Sequence, residues 1–134
     1  MSNVSILGAG SWGTALSILL GKKDFNVKLW DRNKERLYKM EGTRENARYL
    51  PGVRIPENVK FSADITECIK DADAVVLGVP SHAVRDICSM IKDEIKDGQI
   101  IISIAKGIEN NTYMRMSQVI ESQIPQSTVC VLSG

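Results

Sequence analysis

Along the chain, short β-branched apolar runs alternate with stretches whose apolar residues recur at helical spacing, the sequence form of a parallel sheet with crossover helices. The runs predict strands over 3–8 (NVSILG), 26–31 (NVKLWD), 59–62 (VKFS), 74–79 (AVVLGV), 100–105 (IIISIA) and 128–132 (TVCVL). The stretches between them predict helices over 12–22, 34–41, 64–70, 82–95 and 112–122. Right-handed crossovers wind six such strands into the order 3-2-1-4-5-6, with helices on both faces. The expected fold is therefore α/β: a doubly wound parallel sheet of six or more strands in a three-layer α/β/α sandwich.

One connection breaks the pattern. Residues 42–58, GTRENARYLPGVRIPEN, hold two prolines, two glycines and three arginines where a few loop residues would suffice. A loop of this length in a compact domain is usually functional or disordered. The last predicted strand runs straight into Leu132-Ser133-Gly134 with no closing helix, so residues 1–134 read as a truncated domain.

Composition narrows the function classes. At 134 residues one core is expected, and 43% hydrophobic with 25% charged residues is the balance of a globular protein. A net charge of +1 gives no electrostatic case for nucleic acid. No run approaches the roughly 20 apolar residues of a membrane span and the N-terminus lacks a secretory pattern, so a cytoplasmic location is expected. Three cysteines (Cys68, Cys88, Cys130) without CxxC spacing, and a single histidine, argue against a disulfide framework or a metal site. The cysteines read as core or half-buried positions, as does Trp30.

Candidate chemistry starts at SILGAGSWGTALSILL, residues 5–20. Here G-x-G-x-x-G follows a predicted strand, opens a predicted helix and is followed by Asp31, 18 positions after Gly13. Together these are the conditions under which the motif indicates a Rossmann dinucleotide site. Gly8 permits the tight turn, Gly10 lets a pyrophosphate approach backbone N–H groups, and Gly13 lets the helix pack on the strand. The helix N-terminus then faces the phosphates. No Gly-Lys-Ser/Thr follows, which excludes a Walker A loop.

Asp31 and Arg32 bear on which dinucleotide binds, NAD or NADP. The carboxylate suits ribose hydroxyls and repels a 2′-phosphate, whereas the guanidinium attracts that phosphate or stacks on adenine. The plainer reading makes Asp31-Arg32-Asn33 a polar loop with Asn33 as helix N-cap. At the carboxyl ends of the fourth and fifth strands lie two further candidates. Pro80, in Val79-Pro80-Ser81-His82, fixes a turn beside the nicotinamide ribose, while His82 reads as a solvated first-turn residue rather than a general acid. Lys106 follows a wholly apolar strand; it is either a solvated surface lysine or a cation for a phosphate or a carbonyl oxygen. Trp12, inside the glycine motif, needs a ligand or protein surface against its indole.

GAGSWGTAL at 8–16, LWDR at 29–32, NARYLPGVRIPENV at 46–59, VPS at 79–81, AKGIE at 105–109 and the terminal LSG resemble the N-terminal half of bacterial NAD(P)-dependent sn-glycerol-3-phosphate dehydrogenases. The resemblance implies a two-domain oxidoreductase that interconverts dihydroxyacetone phosphate and sn-glycerol 3-phosphate by hydride transfer, for glycerophospholipid synthesis. It further implies that Ser11 and Trp12 contact the cofactor at the pyrophosphate turn and that Arg32 meets the adenosine ribose or its 2′-phosphate. Tyr49 would close over the cofactor, Lys106 would touch both cofactor and substrate, and Gly134 would open a Gly-Pro-Ser substrate loop. The family's proton-donating lysine belongs to a helical C-terminal domain that these residues do not include, so no catalytic residue is expected here. This piece would bind a nucleotide and turn over little. At full length the implied partners are the small-molecule substrate and a second copy in a homodimer. Family members that favour NADP place a second basic residue or a histidine after the arginine; Asn33 stands there in this chain, leaving NAD and NADP both open. Two other readings compete: a nucleotide-sensing regulatory module, and a dehydrogenase of the hydroxyacid type.

Overall fold

Val4 to Leu7 are all buried along β1 (Asn3–Leu7), the burial on both faces that an interior parallel strand requires. The computed structural model describes residues 2–132. From β1 the chain passes through α1 (Ser11–Lys22), β2 (Asn26–Trp30) and α2 (Lys34–Thr43), then a small ribbon of β3 (Glu45–Asn46) and β4 (Leu50–Arg54). It continues through β5 (Val59–Phe61), α3 (Ile65–Ile69), β6 (Ala74–Leu77), a 3₁₀ turn (Ser81–Ala83), α4 (Val84–Ile91), β7 (Ile100–Ser103), α5 (Met116–Gln123) and β8 (Thr128–Val131).

Six strands form one sheet in the order β5-β2-β1-β6-β7-β8. All five pairings are parallel. This is the expected doubly wound sheet, with all six predicted strands in the predicted order. One core layer joins Leu7, Leu77 and Ile101 to Ile87, Ile91 and Ile120 of α4 and α5. The other joins Ile6, Leu29 and Val76 to Ile18 of α1 and Met40 of α2. The order reverses between β1 and β6, and a cleft opens at that switch point, outside the carboxyl ends of the strands.

Three departures are local. Within the long connection of 42–58, β3 and β4 pair as an antiparallel ribbon, with a register shift between Glu45 and Asn46. Arg44 takes a left-handed turn (φ 56°) and its guanidinium binds the carbonyls of Ile55, Pro56 and Val59, which pulls Ile55 into the core. The helix predicted over 82–95 opens with the 3₁₀ turn and is α-helical only to Ile91. The helix predicted from 112 starts at Met116, because Thr112 and the backbone of Met114 bond back to Glu109 and Tyr113 adopts φ 60°. Trp30, Cys68 and Cys88 are buried and Cys130 is exposed.

Candidate functional site

The three glycines of the motif are held by different constraints. Gly8 has φ 119°, and a Cβ there would lie 2.5 Å from the Gly78 carbonyl oxygen, where β1 and β6 run side by side. At Gly13 a Cβ would lie 1.9 Å from the Gly8 oxygen, so α1 seats directly on the turn. A Cβ at Gly10 meets nothing within 4 Å, and its backbone (φ −78°, ψ −165°) suits any residue. Protein packing therefore explains two of the glycines and leaves the third unexplained. Gly10 is also the N-cap of α1, which has no side-chain cap and no acidic residue in its first turn. The free N–H donors and partial positive charge of that helix start face open space, the surroundings of an anion site.

Asp31, just past β2, is buried. Its Oδ1 accepts the Ala9 N–H at 2.8 Å; its Oδ2 accepts the Asn33 N–H at 2.9 Å and an Arg36 Nη2–H at 2.7 Å. The acid thus ties the glycine turn to the end of β2 and the start of α2. Asn33 is the N-cap of α2, its Oδ1 accepting the Arg36 N–H at 3.0 Å. Arg32 turns outward to Asp86 at 2.5 Å, both side chains about 60% exposed. Arg36 instead faces the cleft with Asp31, its guanidinium 5.0 Å from the Tyr49 ring centre.

The β3–β4 ribbon is fastened to the same turn. Asn46 is buried, and its Nδ2 donates to the Ala9 carbonyl and to Thr14 Oγ1, both at 2.8 Å. Its Oδ1 accepts the Tyr49 N–H at 3.2 Å, and Ser11 Oγ donates to the Tyr49 carbonyl at 3.1 Å. These bonds bring Tyr49 over the start of α1.

A cleft of about 570 Å³ joins these parts. Its walls are Gly8 to Trp12, Asp31, Arg36 and Tyr49 on one side, and Gly78 to Ser81 with Ile104 to Lys106 on the other. Of the residues singled out from the sequence, Gly8, Gly10, Ser11, Trp12, Asp31, Tyr49, Pro80 and Lys106 meet here, and Gly13 supports the floor. Trp12 stands 77% exposed at the mouth. Arg32 and His82 lie outside this cleft, and Gly134 lies outside the described residues. Arg36 and Asn46 were not singled out; the only signals were the helix cap three residues before Arg36 and the NARYLPG segment that contains Asn46. Among the described residues no group of three His, Cys, Asp or Glu side chains could hold a metal, and burial pushes the Cys68 and Cys88 thiols up to about 12. Among the described residues no helix is long and apolar enough to cross a membrane.

A doubly wound parallel sheet with an uncapped, glycine-lined helix start at its switch point, and an acid closing the second strand, defines a dinucleotide-binding domain. The chain belongs to the NAD-dependent glycerol-3-phosphate dehydrogenase family, matching the model of that family's N-terminus over residues 3–134. It is 48% identical over 134 residues to a glycerol-3-phosphate dehydrogenase [NAD(P)+] of Clostridium perfringens, covering all of this chain and 40% of that protein. The enzyme of the same name from Clostridium tetani is 43% identical, with 38% of its length covered. The crystal structure of glycerol-3-phosphate dehydrogenase from Coxiella burnetii superposes with a TM-score of 0.93 at 30% identity, over 99% of this chain and 41% of that one. The chain thus spans about 40% of the length of the curated relatives it matches. Of the three readings open on the sequence, these matches support the glycerol-3-phosphate dehydrogenase one.

Proposed function

We propose that this chain is the dinucleotide-binding domain of a cytoplasmic NAD(P)-dependent oxidoreductase. Its reaction interconverts dihydroxyacetone phosphate and sn-glycerol 3-phosphate, with the substrate site completed by a helical domain and the full-length enzyme a homodimer. The observation that carries the nucleotide reading is Gly10, whose missing side chain nothing in the protein requires and which lies beside the uncapped start of α1. A pyrophosphate seated there would accept the free first-turn N–H groups.

The bound nicotinamide would supply or accept the hydride. The remaining work falls to the chain's own side chains. Asp31 and Asn46 hold the turn that carries the phosphate donors. Pro80 and Ser81 shape the wall after β6, and Tyr49 and Trp12 cover the entrance. Lys106 lines the opposite wall; an ammonium beside the ketone oxygen, which gains negative charge during reduction, would contribute most in the transition state. The relatives' names, the cleft lining and the carboxyl-edge position of Lys106 support this reading.

Fluorescence titration of the chain with NADH and NADPH tests it. Saturable binding of either nucleotide below about millimolar concentration is expected, corresponding to more than about 4 kcal/mol. Absence of binding by both at that concentration overturns it.

A further inference from the structure

We propose that Arg36 is the residue that admits a phosphate on the adenosine 2′ position, and that it does so by cancelling the charge of Asp31. The proposal rests on the dinucleotide reading above.

An acid at the end of the second strand ordinarily binds the ribose hydroxyls and repels a 2′-phosphate. Here that acid is already engaged. Both Asp31 oxygens accept backbone N–H bonds, and Arg36 Nη2 lies 2.7 Å from Oδ2, with the Asp31 and Arg36 side chains only 9% and 22% exposed. So sheltered a pair is weakly screened, and its field on a ligand is close to that of a neutral group. Arg36 meets Asp31 through Nη2, and its side chain stays 22% exposed along the cleft wall, within reach of a ligand. A planar guanidinium can serve a carboxylate and a phosphate from different edges.

Position supports the same assignment. Arg36 borders the main cleft and two neighbouring ones, of about 430 and 400 Å³, on either side of the start of α2. Its guanidinium carbon lies over the Tyr49 ring, 5.0 Å from the centre, a cation–π contact that helps hold it at the cleft. Arg32, the nearer basic residue in sequence to the strand end, is drawn away by Asp86 at 2.5 Å and by the Met90 sulfur at 3.6 Å. Without Arg36, Asp31 would stand as an unbalanced carboxylate and the site would select against the 2′-phosphate.

The experiment titrates the chain with NADH, NADPH, 5′-AMP and 2′,5′-ADP, comparing wild type with Arg36→Leu, Arg36→Lys and Arg32→Ala. The wild type is expected to bind NADPH and NADH within about tenfold of each other. Arg36→Leu is expected to weaken NADPH and 2′,5′-ADP by about tenfold or more relative to NADH and 5′-AMP, the size of one charge-assisted hydrogen bond. Arg36→Lys, which keeps the charge and loses the fork, is expected to fall between, and keeps the test alive if the leucine variant fails to fold. Arg32→Ala is expected to leave the ratio within about twofold, its guanidinium being solvated. An unchanged NADPH to NADH ratio in Arg36→Leu or Arg36→Lys, or a larger shift in Arg32→Ala, overturns the role of Arg36 while leaving the nucleotide reading intact. A wild type that binds none of the four overturns that reading and the proposal with it.

Discussion

Alanine at Gly10 and at Gly13, three residues apart, is expected to do opposite things. At Gly13 the new methyl would start 1.9 Å from the Gly8 oxygen, where ordinary contact begins near 3.4 Å. The obstacle is backbone, and Gly8 is itself wedged against Gly78, so neither can retreat without moving β1 or β6. Overpacking of this kind costs about 1–3 kcal/mol or more, and alanine's helix preference over glycine returns only about 1. A net loss of about 2 kcal/mol corresponds to a fall in Tm of about 7 °C for a chain of this size. At Gly10 the methyl enters empty space from an allowed backbone. The poorer N-cap costs about 0.5–1 kcal/mol, and the stiffer unfolded chain offsets about 0.4–1, leaving Tm within about 3 °C of wild type. The same methyl would occupy the approach to the first-turn N–H groups, and nucleotide affinity should fall about tenfold or more. Thermal melts by circular dichroism and titration with NADH read both quantities on the same samples. If Gly10→Ala melts as low as Gly13→Ala, Gly10 has a packing role; if it binds NADH like wild type, the cradle is not where the pyrophosphate sits.

Three further outcomes are expected. Asn46→Ala leaves the Ala9 carbonyl, Thr14 Oγ1 and the Tyr49 N–H short of a partner, so urea unfolding should show a loss of about 2–4 kcal/mol. Hydrogen bonds from Arg85 and Thr112 hold the Glu109 carboxyl down from 4.5 to about 2, a depressed acid whose stabilisation is complete above about pH 4.5 and lost as pH falls through about 2; Glu109→Gln should flatten the urea-midpoint slope across that window, and an unchanged slope would show the pair adds nothing to stability. Lys106→Ala in an enzyme that carries this domain at full length should lower kcat/KM for dihydroxyacetone phosphate by about 10²–10³-fold with little change in cofactor binding, and Lys106→Arg should restore only part; near-normal steady-state kinetics would return Lys106 to the solvated surface.

The sheet was legible because interior parallel strands must be apolar on both faces, and runs such as AVVL and IIIS have few other uses. Helix ends were legible only where a local cap marks them, as Asn33 does for α2. Where the boundary is set by a distant or looping partner it was hidden. Arg44 halts α2 by turning left-handed and reaching carbonyls 11 to 15 residues ahead, and Glu109 folds 112–115 into a turn before α5 can begin. Pro51 and Gly52 disguise β4, since neither residue favours a strand interior.

The site divides along the same line. Glycine spacing and the acid after β2 are local signals, and they mark the turn and its tether. What Asp31 binds is not local: one oxygen takes the Ala9 N–H, 22 residues back, and the other takes Arg36. In the fold the carboxylate whose spacing offers it to a ribose also accepts two backbone N–H bonds and pairs with Arg36, and the nearest cation in the sequence, Arg32, pairs with Asp86 from another helix. Asn46 is 37 residues from Ala9, and a lone asparagine in a polar loop gives no hint of such a bond. Residues whose chemistry depends on contact order are thus the ones that spacing cannot assign. Arg36 and Asn46, both fixed by partners on other elements, accordingly carry the sharpest tests of how this cleft recognises its ligand.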